Sequence, residues 1–242
     1  MEKALYIVLG GIIMLFFTAL VHPFSKRLEV MSRRLYRIKP ISVHVERDPS
    51  VVWAGFPNWI GTAVWLPALP AMAPPEDPTD WHSWAQSNNG TDAAVTFLRV
   101  TITCRESTPV VVNPPKIRRN FLPVGNPPKG VIAVAPTGGA SVTPRRIQVN
   151  LDMGSANWID DNGRPAESLS LSLEPGESEQ FFIFADASVG RYEWHMDLAL
   201  IVDGKREILR IDDGGKRFIT HGVDGLIDHF WIDDQWKTRD LI

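Results

Sequence analysis

The hydrophobic pattern of this chain changes twice along its length. Ala4 to Val21 (ALYIVLGGIIMLFFTALV) runs for eighteen residues without a charge. At 1.5 Å per residue that is roughly 27 Å of helix, enough for a hydrocarbon core of about 30 Å. Pro23 sits at the exit, where a helix break is best tolerated. The pattern predicts one N-terminal transmembrane helix within residues 1–23. A cleaved signal peptide would need a net positive start and a small-x-small site. Here Glu2 offsets Lys3, and Ala19-Leu20-Val21-His22-Pro23 supplies no such site. The segment therefore reads as an uncleaved anchor.

From residue 24 the rhythm becomes helical and amphipathic. Phe24, Leu28, Met31, Leu35 and Ile38 follow one another at intervals of four, three, four and three, one face of a helix. Lys26, Arg27, Arg33, Arg34, Arg37 and Lys39 occupy much of the rest. Residues 24–40 thus form a basic neck, read either as a solvated continuation of the anchor or as a segment lying on the anionic inner leaflet. In the second reading those six cations contact the membrane surface. Positive charge beside a membrane helix stays cytoplasmic, which places everything after Pro40 on the cytoplasmic face.

Beyond Pro40 the period is two. In Arg191–Asp203, residues Tyr192, Trp194, Met196, Leu198, Leu200 and Val202 share one face, and Arg191, Glu193, His195 and Asp197 the other. Asp203-Gly204 then predicts a hairpin returning through 205–211. Leu98, Val100, Ile102 and Cys104 line one side of another strand, and Ile147, Val149 and Leu151 one side of a third. Ile41–Val45, Val110–Val112, Val131–Ala135, Ser168–Leu173 and Phe181–Phe184 read as further strands. Short strands separated by turn residues, with no helix between them, predict a mainly β chain: an immunoglobulin-like antiparallel β-sandwich over residues 41–242. The Pro-rich stretch 113–128 is the one seam at which this body would subdivide.

Three segments carry a resemblance: Pro144–Asp152 (PRRIQVNLD), Arg191–Leu198 (RYEWHMDL) and Arg210–Phe218 (RIDDGGKRF). Together they resemble an uncharacterised group of actinobacterial membrane-anchored β-sandwich proteins, over roughly residues 88–222. The resemblance implies a bacterial origin and a β-sandwich. It implies no functional residue.

Charge divides sharply along the chain. Residues 25–39 hold six Lys or Arg and one Glu, a net of +5, whereas positions 40–242 hold 18 basic and 26 acidic residues, a net of −8. An acidic body is repelled by nucleic acid, so no nucleic-acid partner is expected. The single Cys104 fits a reducing compartment, and on the apolar face of its strand it reads as a structural thiol.

The search for chemistry yields little. The six histidines show no zinc-site spacing, and the doublets Asp160-Asp161, Asp212-Asp213 and Asp233-Asp234 match no calcium loop and read as turns. No metal or cofactor is called for. There is no Gly-x-Ser-x-Gly elbow and no P-loop, so no catalytic residue is assigned. Five of the nine tryptophans fall within residues 53–84, and 66–84 reads as a long exposed loop. Trp81 and Trp84 on that loop would then contact a protein partner; the competing reading packs them onto the sandwich. The expected function is a single-pass membrane-anchored binding or scaffolding module. The alternatives are an extracytoplasmic ligand- or carbohydrate-binding domain on an uncleaved anchor, and a membrane-bound hydrolase whose carboxylates meet in a cleft.

Overall fold

Strand-forming alternation from both halves of the body converges on one core. The computed structural model describes residues 39–52, 63–77, 80–106, 109–123, 130–134, 145–160, 163–166 and 171–238. The segment expected to span the membrane and all of the neck before Lys39 lie outside these residues, and Lys39 itself is exposed. Among the described residues no helix is long and apolar enough to cross a membrane.

The first sheet has five strands: β1 (Ile41–Glu46), β4 (Val95–Cys104), β10 (Ser178–Asp186), β7 (Arg146–Asn150) and β8 (Ser155–Ile159), in the order β1-β4-β10-β7-β8. The β4 alternation buries Leu98, Val100, Ile102 and Cys104 on one face. β10 is apolar on both faces because both are covered. Phe181 and Ile183 enter the main core, while Phe182 and Phe184 pack outward with Val52 of the helical turn Pro49–Val52.

The second sheet is organised on β11 (Arg191–Val202). On one side β11 pairs with β5 (Val110–Leu122), which pairs in turn with β9 (Leu171–Leu173). On its other side two strands share its length. β12 (Lys205–Ile211) covers Met196–Val202, and β13 (Phe218–His221) covers Arg191–Trp194. The sheet then extends through β3 (Thr91–Ala93), β2 (Ala63–Leu66), β6 (Val131–Val134), β14 (Asp228–Ile232) and β15 (Gln235–Thr238). The inner faces of the two sheets bury a common core that includes Leu98, Val100, Phe181, Ile183, Trp194, Met196 and Phe218. Residues 41–242 form one compact unit.

Several sequence expectations meet particular outcomes. The Asp203-Gly204 hairpin forms, with both residues at positive φ, 48° and 70°. The sheets are not purely antiparallel: β10/β7, β13/β3 and β14/β6 are parallel. The Pro-rich residues 113–122 lie inside β5, where the register against β11 shifts between Leu198 and Leu200. Prolines cannot donate to the ladder. At this irregularity the Asn113 side-chain amide donates to the Ala199 carbonyl at 3.2 Å, replacing a backbone partner. Part of the expected 66–84 loop is helical, since Trp81–Ser87 forms a two-turn helix.

Candidate functional site

The apolar core ends where two threonines face each other. Thr96 continues the inward phase of β4, and Thr220 the inward phase of β13; their hydroxyls meet at 2.6 Å, 1% and 0% exposed. The chemistry of their neighbours fixes the direction of that bond. Trp194 Nε1 can only donate, and it gives its proton to Thr220 Oγ1 at 2.9 Å. Asp92 can only accept when ionised, and its Oδ2 takes the Thr96 hydroxyl at 2.7 Å. Thr220 therefore donates to Thr96. The result is a one-way chain, Trp194 to Thr220 to Thr96 to Asp92, whose dipoles reinforce one another.

Asp92 lines a cavity of about 190 Å³. Arg47, directly after β1, lines the same cavity. Its Nη2 reaches Asp92 Oδ2 at 3.3 Å and its Nη1 reaches Asp213 Oδ2 at 2.5 Å. The guanidinium also lies 5.6 Å from the centre of the Phe218 ring. Local structure holds it there: Glu46 Oε1 accepts the backbone N–H groups of Arg47 and Asp48, which bends the chain sharply out of β1.

Asp213 arrives from the excursion between β12 and β13. Its turn places Gly214 and Gly215 at φ 59° and 91°, and Asp212 Oδ1 accepts the Gly215 N–H. The same excursion brings Lys216 and Arg217 to the cavity wall. Both side chains are exposed and make no ion pair among the described residues.

The helix Trp81–Ser87 contributes to the lining as well. His82 and Gln86, one turn apart, line the cavity with Ala85. Burial, and next the positive charge of Arg47, lower the His82 pKa against the pull of Asp92. The imidazole is thus neutral at pH 7. Gln86 Nε2 lies 2.8 Å from His82 Nε2; an amide nitrogen only donates, so the ring proton sits on Nδ1. Gly90 lies between the helix, which ends at Ser87, and β3. A Cβ there would lie 2.7 Å from the Ala85 carbonyl oxygen and 2.8 Å from Leu66 Cδ2, so only glycine fits. Next to it Thr91 Oγ1 pairs with His221 Nδ1 at 2.7 Å, and His221 stacks on Trp65 with ring centres 4.1 Å apart. Burial, with a smaller contribution from Arg191, lowers the His221 pKa to about 4.

Few of the sequence-derived site residues gather here. Trp81 is 3% exposed and Trp84 half-buried; with Trp236 and Val64 they pack the helix onto the sheet extension. The Trp81 and Trp84 rings meet at a tilt of 31°, their centres 4.7 Å apart. Lys26, Arg27, Arg33, Arg34 and Arg37 lie outside the described residues. Cys104 is buried in the main core. Among the described residues no group of three or more His, Cys, Asp or Glu could hold a metal ion. The Asp212-Asp213 doublet does form a turn, yet the turn also delivers a carboxylate to the cavity. Sequence reasoning missed Arg47, His82, Gln86 and Asp92. They come from three separate segments, and no spacing rule connects them. Comparison with protein-family models and with curated proteins finds no match.

Proposed function

We propose that this chain is a single-pass membrane-anchored binding module. In this reading residues 1–23 anchor it and residues 24–40 lie against the anionic inner leaflet. Residues 41–242 form an immunoglobulin-like sandwich on the cytoplasmic face, and the Arg47 cavity is where it takes its ligand. The observation that carries the binding reading is the state of the cavity's polar groups. Arg47, Asp92, Thr91, His82 and Gln86 each have a fixed partner before any ligand arrives. Preorganised groups lose little freedom on binding.

The cavity does bring two carboxylates together, which is what the hydrolase alternative asks for. Acid–base work by such a pair needs two different environments, one favouring the proton and one the charge. Here one guanidinium binds both Asp92 and Asp213. That arrangement favours recognition over proton transfer.

The membrane half of the proposal rests on the charge-free run followed by a neck of net +5. It is tested with a C-terminal fluorescent fusion and surface proteolysis of intact cells. A fluorescent fusion and an intact body are expected. Digestion of the body in unbroken cells would overturn the orientation and favour the extracytoplasmic alternative.

A further inference from the structure

We propose that the Arg47 cavity binds a small hydroxylated anion: one negatively charged group held by Lys216 and Arg217, with hydroxyls donating to Asp92 and Asp213. This inference rests on the binding reading above and names the class of ligand.

Size sets the first limit. A cavity of about 190 Å³ holds several waters' worth of volume and falls below the usual range for drug-sized ligands. It suits one ring-sized molecule, or the end of a larger one.

Charge sets the second. Lys216 and Arg217 are lining cations with no carboxylate partner among the described residues. They would hold an anionic group by charge-assisted hydrogen bonds. The two carboxylates have the opposite character. Asp92 and Asp213 each accept from Arg47 through Oδ2, and among the described residues Oδ1 of each takes no hydrogen bond. Those oxygens only accept, so they repel a bare anion and welcome a donor. A ligand ammonium would serve as donor but would meet the Arg47 guanidinium wedged between the two carboxylates. A neutral hydroxyl meets no such repulsion. Val64, Ala85 and Ile219 complete the wall with apolar surface suited to the C–H face of a sugar ring. A simple anion satisfies only Lys216 and Arg217, and a neutral sugar only the carboxylates. A sugar acid or sugar phosphate satisfies both.

The full-length chain in detergent is the material for the test, with thermal unfolding followed by tryptophan fluorescence. The probes are glucuronate, glucose 6-phosphate, glucose, inorganic phosphate and glutamate, each at the same millimolar concentration. Ligands that bind only the folded state raise the midpoint. Glucuronate or glucose 6-phosphate should raise it, and the other three should not. The glucuronate arm against the glucose 6-phosphate arm shows which anion the site prefers. The variant K216A/R217A changes two exposed side chains and should fold normally; its midpoint without ligand checks this. It should weaken binding of the effective probe by about tenfold or more. D213N should weaken the same probe while leaving glucose inert. Phosphate or glutamate as effective as glucuronate would overturn the proposal, as would an undiminished shift in K216A/R217A. If no probe moves the midpoint, the ligand class is wrong. The membrane-module reading would then still be decided by the proteolysis experiment, which does not depend on these probes.

Discussion

His221 shows how much one buried side chain can commit to. It is 4% exposed, paired with Thr91 and stacked on Trp65. An unfolded histidine titrates near 6.5, but the folded one is held at about 4, chiefly by burial. Between those values the unfolded chain binds a proton that the folded chain refuses. Stability therefore rises with pH across that window and is lost as pH falls from about 6.5 towards about 4. His82 and His195 are pushed the same way by burial, and then by Arg47 and Arg210 respectively. For His221 each pH unit within the window from about 6.5 to about 4 is worth about 1.4 kcal/mol. Urea unfolding at pH 6.5 and pH 5 should show His221 contributing a loss of about 2 kcal/mol to the wild-type chain. H221Q should lose correspondingly less between the same two pH values. Equal losses in the two proteins would mean that His221 is not the titrating group. The sequence offered little warning of this: six histidines are scattered along it, and only the fold shows which of them are dry.

Strands were legible wherever one face was buried and the other was not. β4 and β11 carry that alternation plainly, and the hairpin after β11 is marked by its turn residues. The helix Trp81–Ser87 was hidden because seven residues are too few for a 3.6-residue period to declare itself. Its apolar pair Trp81 and Ala85 is visible as a helical face only once the helix is known. β5 was obscured for another reason. Pro114-Pro115 argues against a paired strand, and the side chain that repairs the ladder, Asn113, is unremarkable in sequence. Turns gave mixed information as well, because glycines that look alike are there for different reasons. Gly176 has φ 81° and open space around it, so an alanine would meet only the backbone penalty. Gly222 lies flat against the Ser188–Val189 backbone, where a Cβ would sit 2.3 Å from Val189 N. Its own N–H bonds to Gly190 O at 2.7 Å, so neither segment can retreat freely. G222A should cost about 3 kcal/mol and G176A about 1 kcal/mol in urea midpoint experiments. The reverse ranking would show that the 187–190 turn yields more easily than its packing implies.

At the scale of the molecule, the β class was readable and the order of strands was not. Thr96 and Thr220, which close the core beside the cavity, stand 124 residues apart, and nothing local announces that they meet. The resulting body is built unevenly. β4, β10 and β11 sit inside their sheets and bury large side chains such as Phe181, Leu98 and Trp194 completely. The extension through β2, β6, β14 and β15 rests on a much smaller cluster of Val64, Leu66, Trp81, Ala85 and Ala133. Every residue of β14 is only half-buried, and β15 forms the edge. Among the described residues the indole N–H groups of Trp81 and Trp84 are buried there without an acceptor, as is that of Trp158 in the main core. Regions with little buried apolar surface open independently of global unfolding. Native-state hydrogen exchange should therefore find amides of β14 and β15 exchanging through an opening of lower free energy, with little dependence on denaturant. Amides of β4, β10 and β11 should exchange only with global unfolding and its full denaturant dependence. Ligand occupancy adds a second reading, because the helix that rests on the extension also supplies His82 and Gln86 to the cavity. A ligand of the proposed class should slow exchange in the helix and β2 more than in β8, which lies at the far edge of the other sheet. Uniform protection across both sheets, with or without ligand, would show that the extension and the sandwich unfold as one.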